Sequence, residues 1–481
     1  MKHKKFDIFV IISFLLVVIA ITIKPLQNDT FYYIKIGEDI LKNGIDFLDH
    51  YSIHNLEYLY PHWLFDIILF KVYDIGGFAG IYIFTIFLFY IFSMILYYGA
   101  SKFSKNKLIS FLLIFISLFT FKSMFSARSQ SISTILFLIE WLLIEKYMEK
   151  KDKKILMYLI MILLLIFYTH MAVWPLFYVF FLPYIAEYII SKFKIKGINN
   201  IVIKTNNNII DLVKLIPFSL LLGLLTPQKL DSYTYIFKTL QGSTTNFISE
   251  HLPIQNFEYP LFLIILFLIT FSFLIKNFNY RLRDLFFIAG FTFMTILSKR
   301  HLVFLLIAFV LCFGRSLSNY LNYKESEDIL NYFNKPLIFV LSIFIVSIIS
   351  YQNYNKESKY LYNITAPKKV VQYIKKNIDQ EDMRLYNQYD VGAYLLFNDI
   401  KVFIDSRCDL YTREYNKMDR SIYDDQFLNG FDYEELMDYY DITHVLLLNS
   451  KDITHVIKKD SNYKQIFQDE NYVLFKRLNT N

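Results

Sequence analysis

What most constrains this chain is a succession of about eleven apolar runs, each near the length that crosses a bilayer. They fall at 6–23, 63–100 (one span plus a short leading helix), 107–122, 129–147, 154–169, 172–191, 209–226, 259–275, 284–298, 301–318 and 336–350. A spanning helix needs roughly 20 apolar residues, so the shorter runs imply helices that are tilted or shielded by neighbours. Segment 284–298 fits the pattern least well. Composition agrees: of 481 residues, 55% are hydrophobic and 19% aromatic, while only 19% are charged. The expected fold class is mainly α, a polytopic membrane helical bundle with its N-terminus inside and its C-terminus outside.

Lysine placement sets that orientation. The chain starts MKHKK, and alternate loops are then basic: three Lys in 101–107, five in 146–154, four in 192–208, and Lys276, Arg281 and Arg283 in 276–283. The loops assigned outside carry fewer: three Lys in 24–60, none in 170–174 and two in 227–258. Cytoplasmic loops hold the excess of Lys and Arg, so segment 351–481 is expected outside. The net charge of +7 is explained by loop lysines and needs no nucleic-acid partner. The first span reads as an uncleaved anchor, because Lys24–Pro25 follows it and no small-residue cleavage site does. Cys312 lies in a span and Cys408 in the outer tail, so no disulfide is expected.

Three regions follow: a transmembrane domain over 1–350 with a large first outer loop at 24–62 and a second at 227–258, a linker at 351–365, and an extracytoplasmic α/β domain at 366–481. In that domain 367–377 reads as a helix, KVFID at 401–405 as a strand, 409–440 as helical stretches, THVLLLN at 443–449 as a strand, 451–459 as a helix and QIFQDENYVLFKRL as a closing hairpin. It has no glycine-rich phosphate loop, metal-ligand spacing or repeat.

Nearly every ionisable residue suited to chemistry beside a membrane falls at the outward side: Asp29, Asp49, His54, His62, Arg128, His170, Glu250, Lys299, Arg300 and His301. Bilayers penalise such groups, and their gathering at one face points to a site. In the first outer loop, Thr30–Leu41 reads as an amphipathic interfacial helix, Gly44 as its stop and Pro61 as the first residue of the next helix. Asp29 has two readings at this point, a helix N-cap or a general base held at the membrane surface. Asp49 and His62 share that ambiguity as turn and helix-start residues.

Several stretches, in order, resemble one family. They are NDTFYYIKIGEDILKNGIDFLDHYS, PHWLFDIILFKVYDIGGFAG, SARSQSISTILFLIEWLL, LLTPQKLDSYTYIF with ISEHLP, SKRHLVFLL, and VGAYLLF with VFIDSRCDLY. This pattern resembles the multispanning GT-C glycosyltransferases, in the bacterial branch related to protein mannosyltransferases and aminoarabinose transferases, and it covers most of the chain. Two positions depart from it: His251 stands where that branch often has Trp, and no acidic residue separates His62 from Trp63.

The resemblance implies a polyprenyl-phosphate sugar as donor, an acceptor in the cell envelope (glycan, lipid or protein), and residence in a bacterial plasma membrane. It assigns the catalytic base to Asp29. Cations must meet the charge that develops on the leaving phosphate; Lys299, Arg300 and His301 are the first candidates and Arg128 the next. Arg is favoured because its fork pairs two phosphate oxygens. In-line displacement would invert the anomeric centre, with no cofactor required and a divalent cation optional.

Each candidate has a plainer explanation. Lys299 and Arg300 could be snorkelling lipid anchors, although they face outward, against the charge bias. His170, before Trp174–Pro175, could cap or pack. Glu250 could be solvated in its loop, yet Glu250–His251 followed by Pro253 suits acceptor binding or metal ligation. Asp405, Arg407 and Asp409 could form a turn or a structural ion pair. The 39 Tyr and 49 Phe read mainly as lipid-facing packing and interfacial belt. Two other functions remain open: a flippase or transporter for lipid-linked saccharides, which predicts charges deep inside spans, and a non-catalytic envelope scaffold. Lys71, Glu140, Glu187 and Lys214 lie near span ends, where they can reach the interface.

Overall fold

The computed structural model describes residues 3–193, 200–241, 248–255, 258–321, 323–358, 366–427 and 433–478. The chain divides into two compact units: Met1–Lys24, Phe78–Lys229 and Asn246–Tyr362 form one, and Pro25–Gly77, Leu230–Thr245 and Asn363–Asn481 the other. The first outer loop and part of the second therefore group with the C-terminal region and not with the helical bundle, contrary to the partition expected from sequence. The dividing point in the long helix Trp63–Ser104 is Gly77, whose φ of 56° and ψ of −151° break the helix. Glycine reaches that region without a Cβ clash.

The first unit is helical. Among the described residues five helices are long and apolar enough to cross a membrane: Lys4–Thr22, Trp63–Ser104 (shared with the second unit), Met171–Lys192, Lys299–Tyr320 and Pro336–Lys356. Three shorter apolar helices, Lys107–Phe121, Lys154–Thr169 and Pro260–Ser272, accompany them. These eight are fewer than the eleven or so apolar runs of the sequence, several of which were expected to be short, and the difference has local causes. Ser129–Lys150 is long enough but carries Glu140, Glu145 and Lys146. Pro217 lies near the end of Ile209–Ser219, after which the chain tightens into a 3₁₀ turn. Leu282–Leu297 has 16 residues and starts with Arg283 and Asp284. The helix Pro336–Ser358 runs through the first half of the expected linker. No Gly or Pro interrupts 337–366, so nothing in the backbone ends the helix at 350; residues 359–365 lie outside the described set.

Aromatic rings fill much of this bundle's interior and do not serve only as a lipid-facing coat. Trp141 stacks on Phe287 at 4.0 Å, Phe137 on Phe180 at 5.6 Å and Phe291 on Phe304 at 5.5 Å. Glu140 and Glu187 are also inside, 0% and 3% exposed, and do not reach the interface as expected; Lys71 and Lys214 are exposed. Glu187 joins a buried ionic network. Arg283 contacts Glu145 at 3.2 Å and Glu187 at 3.7 Å, Arg315 contacts Asp284 at 3.1 Å and Glu145 at 3.5 Å, and the Tyr184 hydroxyl donates to Glu145 at 2.9 Å. Mutual pairing offsets the cost of withdrawing these charges from water.

The second unit is built on a four-stranded sheet in the order Leu385–Asn387, His444–Leu448, Tyr472–Arg477, Tyr463–Gln468. The first pair is parallel and the others are antiparallel. The helix Lys368–Asn377, the strand at 444–448 and the closing hairpin match expectation. KVFID at 401–405 is not a strand. Its backbone is met by single bonds instead: Val402 exchanges bonds with Tyr51 and Ile53, and the Asn387 amide accepts from Phe403 N–H at 2.8 Å and donates to Ile404 O at 2.7 Å. A side chain occupies the edge a neighbouring strand would need.

The helix Asn28–Asn43 ends at Gly44, φ 84°, as expected. Pro61 lies in a turn ahead of the helix that starts at Trp63 and is not its first residue. The apolar face of Asn28–Asn43 is covered by protein and does not lie on lipid: Ile34 and Ile36 are 1% and 0% exposed, and Phe31 meets Tyr394 and Phe397 at 5.2 and 5.7 Å. Gly37 permits direct backbone packing, since a Cβ there would stand 2.0 Å from Asp66 O. Gly392, in the helix Tyr389–Phe397, allows the same approach to Ile404 O at 1.9 Å.

Candidate functional site

In the helical unit the chain leaves its helix at Ser298, which is extended (φ −155°, ψ 126°), before the 3₁₀ turn Lys299–His301. That break frees backbone N–H groups to hold loop 248–255. Arg300 N–H donates to Glu250 O and Lys299 N–H to Leu252 O, both at 3.1 Å, and Ser298 Oγ donates to Glu250 O at 3.0 Å. The loop thus brings Glu250 and His251 against Arg300 and Arg128. A pocket there is lined by Arg128, Gln130, Glu250, Glu258, Lys299 and Arg300, among others.

The three cations of this pocket differ in what neutralises them. Arg128 Nη1 donates to Glu250 Oε1 at 2.6 Å and Lys299 Nζ to Glu258 Oε1 at 2.9 Å. Arg300 Nη1 instead meets His251 Nε2 at 3.0 Å, and among the described residues it has no carboxylate within ion-pair distance. Because a guanidinium only donates, His251 Nε2 accepts and its ring is neutral. Burial first, then the Arg300 charge, pushes the His251 pKa down to about 4. Burial pushes Glu250 up, but Arg128 and Arg300 together hold it below the usual carboxylate range. Two carboxylates against three cations leave one positive charge, centred on Arg300. His301 lies beside this group, its Nδ1 buried without a hydrogen-bond partner. His170 is elsewhere in the bundle and shares a 2.9 Å hydrogen bond with Ser133, as a packing histidine would.

In the second unit, Asp49, Asp405 and Arg407 form a buried triad. Arg407 Nη1 donates to Asp49 Oδ1 at 2.7 Å, while Nε and Nη2 grip Asp405 at 2.9 and 2.6 Å. The Tyr411 hydroxyl also donates to Asp405 at 2.6 Å, and the guanidinium lies over the Tyr51 and Tyr58 rings. The three charged side chains are 0–3% exposed. Burial pushes Asp49 up, yet Arg407 with Ser52 and Tyr51 N–H holds it below the usual range. Buried and bonded to one another, the three form an ion pair of the structural kind that the sequence also allowed. His54 is structural too: its Nε2 bonds Phe403 O at 2.8 Å, and burial drives its pKa down to about 4.

Asp29 lies in the first turn of helix Asn28–Asn43, half-buried. The N-cap is Gln27, so Asp29 is not the capping residue. Its carboxylate is within electrostatic range of Tyr32, Tyr389 and Cys408, and the helix dipole favours negative charge there. His62 stands edge-on to Tyr33 at 5.3 Å. The sequence offered His251 only as part of the Glu250–His251 pair ahead of Pro253; Glu258 and Ser298 carried no signal in it. Among the described residues no three His, Cys, Asp or Glu side chains group as a metal site.

No family model matches this sequence, and no curated protein matches it. Solved structures do. An oligosaccharyltransferase from Archaeoglobus fulgidus, tethered with an acceptor peptide, aligns over 93% of this chain and 69% of its own, with TM-score 0.57 and 11% identity. ArnT from Cupriavidus metallidurans bound to undecaprenyl phosphate aligns over 99% of this chain and 98% of its own, with TM-score 0.56 and 9% identity. Its apo state gives TM-score 0.55 at 10% identity. The chain shares the fold of these solved structures.

Proposed function

We propose that this chain is an inverting membrane glycosyltransferase. It would move a sugar, hexosyl or pentosyl, from a polyprenyl-phosphate donor to a glycan, lipid or protein acceptor of the cell envelope. The observation that carries the reading is Arg300, a half-buried guanidinium without a carboxylate partner among the described residues, flanked by Arg128 and Lys299. Such a group has charge left to give to a phosphate. In the reaction the acceptor O–H attacks the anomeric carbon as Asp29 takes its proton. The bond from that carbon to the phosphate oxygen breaks, and polyprenyl phosphate leaves with the electron pair. Arg300 binds the growing charge bidentately. The leaving group needs no general acid, because phosphate carries its own charge.

Support comes from the fold it shares with glycosyltransferases, one of them bound to undecaprenyl phosphate, and from the place of Asp29 in the first turn of a helix whose N-cap is Gln27. A bacterial plasma membrane with the C-terminal region outside is the matching location. One observation favours the transporter reading: Glu140 lies inside an expected span, fully buried, with neither carboxylate oxygen hydrogen-bonded. The test is transfer from labelled polyprenyl-phosphate sugars in purified membranes by wild type and Asp29→Asn. Asn keeps the shape and removes the base, so turnover should vanish with protein abundance unchanged. Wild-type turnover in Asp29→Asn removes Asp29 from catalysis; transmembrane movement of the donor without transfer would favour the transporter.

A further inference from the structure

The helix Lys107–Phe121 starts at one cavity and ends at another. Its C-terminal end runs into Ser123 and Met124, which line the Arg300 pocket. Its N-terminal end lies at a cavity of about 550 Å³ formed by the N-terminal helix, the 94–107 segment and Glu327 with Leu330. At about 1.5 Å per residue this 15-residue helix is about 22 Å long, so the two cavities lie at opposite ends of one membrane helix.

The second cavity has two kinds of wall. Ile11, Met94 and Tyr98 form an apolar side, and Ile11 and Tyr98 are 42% and 66% exposed. Ile11 shares its helix with the exposed Ile8, Leu15 and Ile19, a surface suited to acyl chains. The other side is polar. Both acids are already engaged, Asp7 by Lys107 at 2.7 Å and Glu327 by His3 at 3.2 Å. Lys102 and Lys105 are exposed lysines that have no carboxylate within ion-pair distance among the described residues. Between the walls lie the Tyr97 and Ser101 hydroxyls, buried and next to one another, and His3 Nδ1, buried without a hydrogen-bond partner. Ammonium groups, buried hydroxyls and an apolar wall together match a phosphodiester carrying acyl chains. A free sugar phosphate would gain nothing from the apolar side, and a cation would be repelled by the lysines.

We propose that this cavity binds one anionic diacyl phospholipid from the leaflet that carries the chain's N-terminus. The headgroup phosphate meets Lys102 and Lys105 and accepts from the Tyr97 and Ser101 hydroxyls, while an acyl chain lies along Ile11, Met94 and Tyr98. Basic pockets between membrane helices bind anionic headgroups in this way. The proposal does not depend on glycosyl transfer at the other cavity.

The test is native mass spectrometry of the purified full chain after incubation with phosphatidylglycerol and phosphatidylcholine in equal amounts. One phosphatidylglycerol should be retained in preference. Each lysine near a headgroup is worth about fivefold in retention, so Lys102→Gln with Lys105→Gln should lose about 25-fold of it. Tyr97→Phe with Ser101→Ala, which keeps the apolar wall and every charge, should lose part of it. Lys150→Gln with Lys151→Gln, on another loop, should change nothing. Equal retention of the two lipids, no loss in the Lys102/Lys105 variant, or equal loss in the Lys150/Lys151 variant overturns the proposal. So does displacement of phosphatidylglycerol by inorganic phosphate, which marks a free-anion site, or preferential displacement by undecaprenyl phosphate, which marks a carrier site.

Discussion

Replacing Arg407 with Leu would keep the apolar volume of its side chain but strand Asp49 and Asp405, both 0% exposed, without their counter-ion. The Arg407 guanidinium satisfies Asp49 through one bond at 2.7 Å and Asp405 through three at 2.6–3.2 Å. Breaking a buried pair by removing one partner costs about 3–5 kcal/mol, against a total stability of about 5–15 kcal/mol for a typical domain. The second unit of Arg407→Leu should therefore be marginal at neutral pH. The sign with pH can be worked out. The folded-state pKa of Asp49 is depressed below its unfolded value, so its contribution is complete above the unfolded carboxylate pKa and is lost as pH falls through the folded one. In Arg407→Leu the stranded, buried carboxyls gain by taking up protons, so the gap between variant and wild type should narrow as pH falls from about 7 to about 5. The assay is hydrogen exchange of the amides of Tyr51, Ser52 and Ile53 in the full chain, at pH 7 and at pH 5. Protection in Arg407→Leu within about 1 kcal/mol of wild type at pH 7, or a gap that widens in acid, would refute the argument.

Further outcomes follow from other sites. Arg300→Ala should lower turnover at saturating donor by about 30-fold or more, and Arg300→Lys by less, since an ammonium keeps charge but not the two-pronged contact; unchanged turnover with altered abundance would make Arg300 a lipid anchor and Arg128 the next residue to test. Gly37→Ala and Gly392→Ala each force a Cβ to about 2 Å from a backbone oxygen and should cost at least about 1–3 kcal/mol, read as a lower thermal midpoint. A reporter active only outside the cytoplasm, fused after Asn481, should be active; activity of a cytoplasm-only reporter there would show that one span is miscounted. Turnover should survive a chelator such as EDTA, and its loss with rescue by added Mg²⁺ or Mn²⁺ would make the optional cation a required one.

Local features were legible in the sequence because they depend on near neighbours. The helix expected at 30–41 runs Asn28–Asn43 and stops at Gly44, as amphipathic spacing and a glycine would dictate. The strand at 443–449 and the closing hairpin were legible from apolar runs and turns. What escaped were partnerships across long separations. Arg128 meets Glu250 from 122 residues away and Arg407 meets Asp49 from 358, and no periodicity encodes such pairs. The same limit explains KVFID: its short apolar run was real, but the Asn387 side chain bonds the backbone that a neighbouring strand would pair with. Glu140 and Glu187 sat where snorkelling was open to them, and only the packed bundle shows them enclosed.

The Asp49–Arg407 tie also sets a timetable for biosynthesis. Asp49 emerges from the ribosome 358 residues before its partner; at about 5–20 residues per second, the wait is about 20–70 s. Throughout that interval the loop carrying Asp49 must stay hydrated, because its carboxylate cannot enter a dry interior alone. The second unit therefore closes late, after the intervening apolar helices have already been made. A nascent chain arrested before Arg407 should leave residues 44–62 open to protease, and release of the arrest should protect them within the time needed to finish the C-terminal domain.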